Sequence, residues 1–410
     1  MKAFQHVRSI VAFGAVALSV GCGQPAPAPA PPPPTAAATP AAPPVDTKAL
    51  AAKLVRSAAI KEGDIVGITG GLKDWQLLED LTVEVRKAGA FPLTSVGSDQ
   101  LTRRLTVDVP EQYDSQKPAL GLKITEMADA FITLDFAEKD DLLADVPPTR
   151  MAARAAAAAP IGDLAVKRNI RQVNLGNGLL PTADAARRFG ISQSDLTTMY
   201  WSGVNTDYDQ LQATATAVSA ALSAGRSVRI TNPNGTDITV DIAGRQVFQS
   251  DGVISPEDIE RGGAAVAVYL PAGEVYLAPV AGTAEGKVVA DHYFFQGTDI
   301  QGLTLIFSKG KLISMTATSS LERLKALYDA AGAGKDEFAF IDIGLNPDVK
   351  VPAGSTLRTW VPAGMVTIGT GNNMWAGGSN NSAFALSAFL PGSTLEVDGK
   401  AIVQSGALVK

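Results

Sequence analysis

The residues that could carry out chemistry in this chain are few, and the most informative of them is Glu274. It follows a Pro-Ala-Gly sequence at residues 271–273 and precedes an apolar run at residues 275–280. Such a pattern predicts a tight corner followed by a strand, with the carboxylate at the strand entrance. Taken alone, the segment is more simply interpreted as a surface turn with a solvated glutamate. The function therefore depends on what the rest of the chain places beside Glu274.

Most other catalytic and binding chemistries lack the residues they need. The 410 residues include two histidines, His6 and His292, and a single cysteine, Cys22, which excludes an intramolecular disulfide. The Gly70-Gly71 pair lacks the third glycine of a dinucleotide-binding loop. We find no phosphate-binding loop and no nucleophile beside a base, and the scattered acidic residues of the N-terminal half are most simply solvated. With a net charge of -6 and no basic cluster longer than a pair, nucleic acid is not an expected partner.

The N-terminal segment indicates export and anchoring. Lys2 and Arg8 precede an apolar run of roughly ten residues, too short to span a bilayer comfortably and typical of a signal peptide. Residues 1–21 are therefore predicted to be a lipoprotein signal peptide and Cys22 the lipidated residue, the alternative being a plain signal peptide with a chance cysteine. Residues 22–47, rich in proline and alanine, would follow as an extended linker. The expected location is the bacterial cell envelope, lipid-anchored, in the periplasm or at the cell surface.

Hydrophobic periodicity predicts an α/β fold in two parts. A strand, a helix and a second strand are predicted at residues 64–69, 72–87 and 90–96. This order is typical of a βαβ unit in a parallel sheet. From about residue 253 the pattern changes to short strands and turns. We therefore predict an N-terminal parallel-sheet α/β domain at residues 48–250 and a C-terminal α+β domain at residues 251–410.

Several short motifs along the chain carry a family resemblance. They are residues 234–238 with Gly244-Arg245, residues 270–282, residues 297–307 with 310–312, residues 343–347, and residues 368–369 with 377–378 and 381–383. In order and spacing they resemble the thermophilic-type metallo-aminopeptidases, the aminopeptidase T and aminopeptidase S group. The resemblance implies the two-domain fold of that group and a homodimer formed largely through the C-terminal domain.

The resemblance also implies a two-metal site for zinc or cobalt, built from carboxylates and histidines. Carried over residue by residue, the first ligand of that site is Glu274, which is retained. The family's other glutamate, its histidines, its tyrosine and its aspartate fall on positions occupied here by Phe340, Met365, Asn372, Ala385 and Ser387. The apolar replacements indicate a cavity filled by packing atoms, so we expect no metal cofactor.

A weaker cation site is a second candidate. Asp342 lies two residues from Phe340 and, on a strand, would share its face. Glu274, Asp342 and either Asp291 or His292 could then form an oxygen-rich site. Asp291 and His292 are adjacent, so a strand would direct them to opposite faces. The simpler alternative, which we favour, is that these groups are exposed or satisfied by backbone donors.

The polar loop at residues 369–381 is a third candidate, because amide side chains around one aromatic residue suit ligand contact. Its candidate ligand-binding residues are Asn372, Asn373, Trp375 and Asn381. In the structural alternative, which we weight more heavily, the glycines serve tight turns and Trp375 packs in the core or at a dimer interface.

Together these features predict an envelope lipoprotein that resembles metal-dependent leucyl-type aminopeptidases but is catalytically degenerate and acts as a binding or scaffold protein. The alternative is an active metallo-aminopeptidase with non-standard ligands around Glu274 and Asp342, for which zinc or cobalt would be the cofactor. The expected partners are the membrane, through the N-terminal lipid, a second copy of the chain, and an unidentified peptide or small ligand.

Overall fold

A computed structural model describes residues 45–139, 141–143, 145–295, 298–352, 354–382 and 384–409. The predicted signal peptide, Cys22 and nearly all of the predicted linker lie outside these residues. None of the helices within them is both long enough and apolar enough to cross a membrane.

The strands belong to three sheets. In chain order they are β1 (Ile65–Gly71), β2 (Phe91–Gly97), β3 (Ala130–Leu134), β4 (Arg171–Leu175), β5 (Ser227–Asn232), β6 (Thr236–Asp241), β7 (Phe248–Ser250), β8 (Ala267–Leu270), β9 (Glu274–Leu277), β10 (Glu285–Phe295), β11 (Thr298–Ser308), β12 (Lys311–Thr316), β13 (Phe338–Gly344), β14 (Val366–Gly371), β15 (Ala385–Leu390), β16 (Thr394–Val397), β17 (Lys400–Gln404) and β18 (Ala407–Leu408).

The helices lie mostly in the first half of the chain. They are α1 (Thr47–Ser57), α2 (Trp75–Lys87), α3 (Asp99–Val107), α4 (Ala119–Met127), α5 (Pro148–Lys167), α6 (Ala183–Phe189), α7 (Gln193–Val204), α8 (Tyr208–Ala224), α9 (Pro256–Arg261) and α10 (Glu322–Ala330). Short polar side chains begin many of them by accepting hydrogen bonds from backbone amides of the first turn. Asp46 does so for α1, Ser192 for α7 and Asp207 for α8.

The first sheet, here called the parallel sheet, has the order β2-β1-β3-β4-β8 with all pairs parallel. The predicted βαβ unit is confirmed: β1 and β2 are parallel neighbours, and α2 packs against them through buried leucines such as Leu78 and Leu81. Gly70 allows this close approach, because a Cβ there would lie 3.0 Å from the Leu78 side chain. In this sheet β2 lies on one side of β1 and β3 lies on the other, so the strand order changes direction between β1 and β3.

The remaining strands form two antiparallel sheets. The large antiparallel sheet has the order β12-β11-β10-β6-β5-β16-β17-β18, and the small antiparallel sheet has the order β15-β14-β13-β9-β7. Every residue of β13 and β14 is buried. The centre of the small antiparallel sheet is therefore covered on both faces, although its strands include the polar residues Asp342, Thr367 and Thr370. The expected fold class, a parallel-sheet α/β part followed by a mixed α+β part, is confirmed.

The sheets do not follow the expected domain boundary at residue 250. The hairpin of β5 and β6 precedes that boundary but pairs with β16 and β10 of the large antiparallel sheet. Conversely, β8 follows the boundary but pairs with β4 of the parallel sheet. The hydrophobic pattern of a segment reflects the secondary structure of that segment alone. The sheet that a strand joins depends instead on which other strands lie beside it in space.

A buried ion pair closes the amino end of the parallel sheet. Asp64, just before β1, accepts a hydrogen bond at 2.7 Å from Nη2 of Arg171, the first residue of β4, and both side chains are less than a tenth exposed. Arg171 also donates from Nη1 to the carbonyl oxygens of Ala58 and Ala59, which follow α1. The guanidinium thereby joins α1, β1 and β4.

We expect Asp64→Ala to lower the free energy of unfolding by about 3 kcal/mol, because it leaves a buried guanidinium without its counter-charge. Urea unfolding followed by circular dichroism measures the change. Asp237→Ala is the matched control, since Asp237 pairs with Arg229 on the surface, where both side chains are about half exposed. Equal losses in the two variants would contradict a structural role for the buried pair.

Candidate functional site

The corner before Glu274 joins the parallel sheet to the small antiparallel sheet. Leu270 ends β8 and Glu274 begins β9, so residues 271–273 make the whole connection. The fully buried Asn346 holds this corner, because its Nδ2 donates to the carbonyl oxygens of Ala272 at 2.7 Å and Gly203 at 3.1 Å. Gly273 is required there: its φ is +129°, and a Cβ would lie 2.8 Å from the Asn346 backbone nitrogen.

Glu274 is buried by this arrangement. Its side chain is 5% exposed, so the simpler interpretation of a solvated surface glutamate is wrong. In the small antiparallel sheet it lies opposite Gly344 of β13 on one side and Ser250 of β7 on the other. The sequence motif therefore does place a carboxylate at a strand entrance, as predicted, but in the interior of the protein.

Glu274 and Asp342 share one face of the small antiparallel sheet. Asp342 is fully buried and pairs with Tyr276, two residues after Glu274, and directly paired residues of antiparallel strands point to the same face. Diagonal neighbours of this kind are about 7 Å apart. Burial raises the pKa of the Tyr276 hydroxyl, and the charges of Glu274 and Asp342 raise it further. Tyr276 is thus flanked on this face by Glu274 along its own strand and by Asp342 on the neighbouring strand.

The positions expected to have lost metal ligands lie on the same sheet. Phe340 of β13 pairs with Gly369 of β14, which pairs in turn with Ser387 of β15. Ala385 lies opposite the last residue of β14, and Met365, just before β14, accepts a hydrogen bond at its carbonyl oxygen from the Gly344 amide. The positions named from the family resemblance are therefore close together in the fold.

Aromatic rings fill the space beside these positions. The rings, here called the aromatic cluster, are Phe248, Tyr276, Phe340, Trp360, Trp375 and Phe389. The ring of Phe340 lies 4.8 Å from that of Trp375 and 5.6 Å from that of Trp360, measured between centroids, and Tyr276 lies 5.1 Å from Trp375. A Cβ at Gly369 would lie 2.0 Å from the Phe340 ring, so this strand passes directly beneath it.

The side chains at this site do not fit a two-metal centre. Such a centre needs several carboxylate or imidazole ligands around one point. Among the residues that the structure describes, no group of three or more His, Cys, Asp and Glu side chains is arranged to hold a metal ion. Glu274 and Asp342 supply two carboxylates on this face, while Phe340, Met365 and Ala385 supply none.

The candidate third ligands lie elsewhere. Asp291 and His292 are in β10 of the large antiparallel sheet, and the His292 side chain is 44% exposed. Its Nδ1 lies 2.8 Å from Oδ2 of Asp299, and its ring stacks on Phe294. The structure therefore gives His292 a local partner on its own sheet and does not bring it together with the carboxylates of β9 and β13.

The amide side chains of the polar loop bond within the protein. Asn372 donates from Nδ2 to Oδ1 of Asn381, and Asn373 donates from Nδ2 to the carbonyl oxygen of Ala339. The Oδ1 of Asn373 accepts from the Asn380 amide at 2.8 Å. Trp375 belongs to the aromatic cluster. The amide groups of the loop thus bond to other groups of the protein, and Trp375 packs against neighbouring rings. This is the arrangement expected if the loop has a structural role.

Polar residues that the sequence analysis missed flank Glu274 on the side of the parallel sheet. Tyr269 of β8 lies beside Asn174 of β4. Burial raises the pKa of its hydroxyl, and the charges of Glu274 and Asp135 raise it further. Asp135 accepts a hydrogen bond at 2.8 Å from Nδ2 of Asn174. The available signal was the position of Asp135 directly after the apolar run that forms β3, because polar side chains that follow neighbouring parallel strands meet at one edge of the sheet.

A comparison with known families places the chain in one of them. The family model described as thermophilic metalloprotease (M29) matches residues 47–342, which is most of the chain, so this protein belongs to that family. The resemblance seen in the sequence motifs is thereby confirmed. No curated protein matches the sequence.

Two solved structures share the fold. Wild-type AmpT from Thermus thermophilus is similar with a TM-score of 0.69 and 19% identity, over 89% of this chain and 99% of that chain. The 2,5-dihydroxypyridine dioxygenase from Pseudomonas putida KT2440 is similar with a TM-score of 0.59 and 14% identity, over 89% of this chain and 98% of that chain. At these identities the structural likeness establishes the fold alone.

We expect Phe340→Ala to lower the free energy of unfolding by about 4 kcal/mol, because it removes a ring that is 1% exposed and leaves a cavity among the other rings. Urea unfolding monitored by tryptophan fluorescence measures this loss. Phe91→Ala is the control, since the Phe91 side chain is 56% exposed on the edge strand β2. A loss below about 1 kcal/mol for Phe340→Ala would mean that the aromatic cluster is loosely packed.

Proposed function

We propose that this member of the M29 family is an envelope lipoprotein that has lost the metallopeptidase site and acts as a binding or scaffold protein. The observation that carries the proposal is the aromatic cluster, in which Phe340 packs against Trp360 and Trp375 beside the position of Glu274. Where a peptidase needs an open, water-filled space for metal and substrate, this chain has close-packed rings.

The chemistry of peptide hydrolysis supports the same proposal. A peptide bond is cleaved in such enzymes by a metal-bound water, which requires ligands that hold the metal and leave one position open. Glu274 and Asp342 are two carboxylates on a buried face, and a metal held by them alone would lack imidazole or further carboxylate ligands from the described residues. No hydrolytic step is therefore assigned to these residues.

One observation favours a second candidate function, an active metallo-aminopeptidase with non-standard ligands. Glu274 and Asp342 are buried on the same face, and the fully buried hydroxyl of Thr367, opposite Asp342, has no hydrogen-bond partner among the described residues. A buried carboxylate pair beside an unsatisfied hydroxyl is a place where an ion or water is commonly held. An assay with added metal separates the two candidates.

We expect residues 45–410, incubated with zinc, cobalt or manganese, to release no p-nitroaniline from leucine p-nitroanilide above the rate of a protein-free control with the same metal. The reason is that the described residues do not assemble the ligand set. Metal retained after gel filtration, measured by mass spectrometry, is expected to be well below one ion per chain. Turnover proportional to retained metal would overturn the proposal.

Matched variants assign any turnover that is seen. In the second candidate function, Glu274→Gln abolishes both metal retention and activity. Glu79→Gln is the control, because Glu79 is an exposed residue of α2. Activity lost in Glu274→Gln and kept in Glu79→Gln would establish the active enzyme, whereas activity kept in both would point to a contaminating peptidase.

The proposed envelope anchoring rests on Cys22 and the apolar run before it. We expect the full chain, expressed in a Gram-negative bacterium, to sediment with membranes and to incorporate labelled fatty acid. Cys22→Ser should abolish the label, because the thiol is the acylation site. A label that persists in Cys22→Ser, or a wild-type protein that remains unlabelled and soluble, would contradict the assignment.

A further inference from the structure

A pocket lies at the amino edge of the parallel sheet, the edge opposite to the corner that holds Glu274. Its volume is about 150 Å³. Its wall comes from the segments that lead into three neighbouring strands, because Asp64 precedes β1, Asp129 precedes β3 and Asn169 precedes β4. The proposed function uses none of these residues.

The buried ion pair of Asp64 and Arg171 forms the inner wall of the pocket. Both side chains are less than a tenth exposed, and Nη2 of Arg171 donates to Oδ2 of Asp64 at 2.7 Å. The other amino group of the guanidinium, Nη1, donates to carbonyl oxygens that follow α1. The two charges neutralise each other, so this wall is polar and fixed but carries no net charge.

Arg168 brings unused N–H donors to the same pocket. Its Nη1 donates to the carbonyl oxygens of Thr125 and Ala128, both at 2.7 Å, at the end of α4. These bonds satisfy carbonyl groups that have no partner within the helix. Nε and Nη2 have no hydrogen-bond partner among the residues that the structure describes. Three N–H groups of the guanidinium therefore remain for a ligand.

Asn169 and Lys61 add further donors to the pocket. Oδ1 of Asn169 accepts from the Gly263 amide at 2.9 Å, which orients the side chain and leaves the two N–H groups of Nδ2. Lys61 bonds to Asp64 through its backbone amide, and its exposed ammonium group makes no hydrogen bond or ion pair within the described part of the chain. The pocket therefore presents an excess of donors, and two of its three donor side chains are cationic.

Asp129 places a carboxylate among these donors. Its Oδ2 accepts from the Ile65 amide at 2.9 Å, and its backbone amide donates to the Ile65 carbonyl oxygen at 2.8 Å. These two bonds fix the half-buried residue against β1, while Oδ1 makes no hydrogen bond with the described residues. A ligand that suits all of these groups is an anion that also carries a hydrogen-bond donor.

We propose that this pocket binds inorganic phosphate. At neutral pH phosphate is negatively charged and keeps at least one O–H group. Its oxygens would accept from Lys61, Arg168 and Asn169, and its O–H would donate to Asp129. Arginine and lysine are common partners of phosphate oxygens in proteins. The two cations outweigh the single unpaired carboxylate, so a bound phosphate faces a net positive charge.

The Asp129 carboxylate distinguishes inorganic phosphate from similar anions. Sulfate has a similar shape but no O–H at neutral pH, so one of its oxygens would face the carboxylate and be repelled. The dianion of a phosphate monoester has the same disadvantage. The pocket shares no residue with the positions around Glu274, so the proposal stands whether the proposed loss of peptidase activity is right or wrong.

The test titrates sodium phosphate calorimetrically into the purified protein, in a phosphate-free buffer of low ionic strength. We expect saturable binding at one site per chain with a Kd on the order of 1 mM, because the pocket is partly open to water. Sodium sulfate and glycerol 3-phosphate, compared at the same ionic strength, should each bind about tenfold more weakly.

Three variants assign the binding to this pocket. Lys61→Gln should weaken phosphate binding about threefold, as for the loss of an exposed ion pair. Lys400→Gln is the matched control, since Lys400 is exposed in β17 of the large antiparallel sheet, and should leave the affinity unchanged. Asp129→Asn keeps an acceptor for the Ile65 amide and replaces the other oxygen with N–H donors. It should bring sulfate to within about twofold of phosphate, a change in selectivity that a purely structural residue would not cause.

Several results would overturn the proposal. They are the absence of saturation by phosphate, sulfate binding as tightly as phosphate to the unaltered protein, and unchanged affinity in Lys61→Gln. Glycerol 3-phosphate binding as tightly as phosphate would assign the pocket to a phosphorylated small molecule in place of inorganic phosphate. Circular dichroism confirms that each variant is folded. Should Asp129→Asn fail to fold, Lys61→Gln still decides the outcome, because the Lys61 side chain is exposed and its removal breaks no bond within the described residues.

Discussion

The side-chain amide of Asn346 is the contact on which the rest of the structure depends. It donates to the carbonyl oxygens of Ala272 and Gly203 in the interior, and it accepts from the backbone amide of Asp348. These bonds fix the corner between β8 and β9, and hence the angle at which the parallel sheet meets the small antiparallel sheet. An apolar residue of similar size at this position would leave the buried carbonyl oxygens without donors, which costs about 1–3 kcal/mol for each unsatisfied group. The corner is therefore specified by polar chemistry and only secondarily by apolar packing.

Because this corner fixes Glu274, the carboxylate lies at a boundary between two kinds of interior. On one side is the aromatic cluster, which is apolar and closely packed. On the other side are Tyr269, Asn174 and Asp135 at the carboxyl edge of the parallel sheet. The hydroxyls of Tyr276 and Tyr269 both have their pKa raised by burial and by the charge of Glu274. The charge of Glu274 thus influences tyrosines of both sheets, although the backbone of Glu274 pairs only within the small antiparallel sheet.

The local elements could be predicted from the sequence, because hydrophobic periodicity and turn residues act over a few neighbouring residues. The strand, helix and strand beginning with β1 follow directly from that pattern, as does the corner at residues 271–273. Sheet membership could not be predicted in the same way: β8 lies across the expected boundary because its partner β4 is far away in sequence. The burial of Glu274 and Asp135 was also missed, since a short polar segment looks the same whether the adjacent surface is solvent or another sheet.

The side chains around Phe340 show how packing couples neighbouring positions. Phe340 lies over Gly369, and its ring touches Trp360 and Trp375, so these positions form one packed unit. A carboxylate introduced at residue 340 would be a buried charge among rings, and it would leave a void that the fully buried strands β13 and β14 cannot easily close. The same fold is found in AmpT and in a dioxygenase, so the scaffold itself does not dictate one chemistry. In this chain the small antiparallel sheet combines closely packed rings with buried polar groups such as Glu274, Asp342 and Thr367.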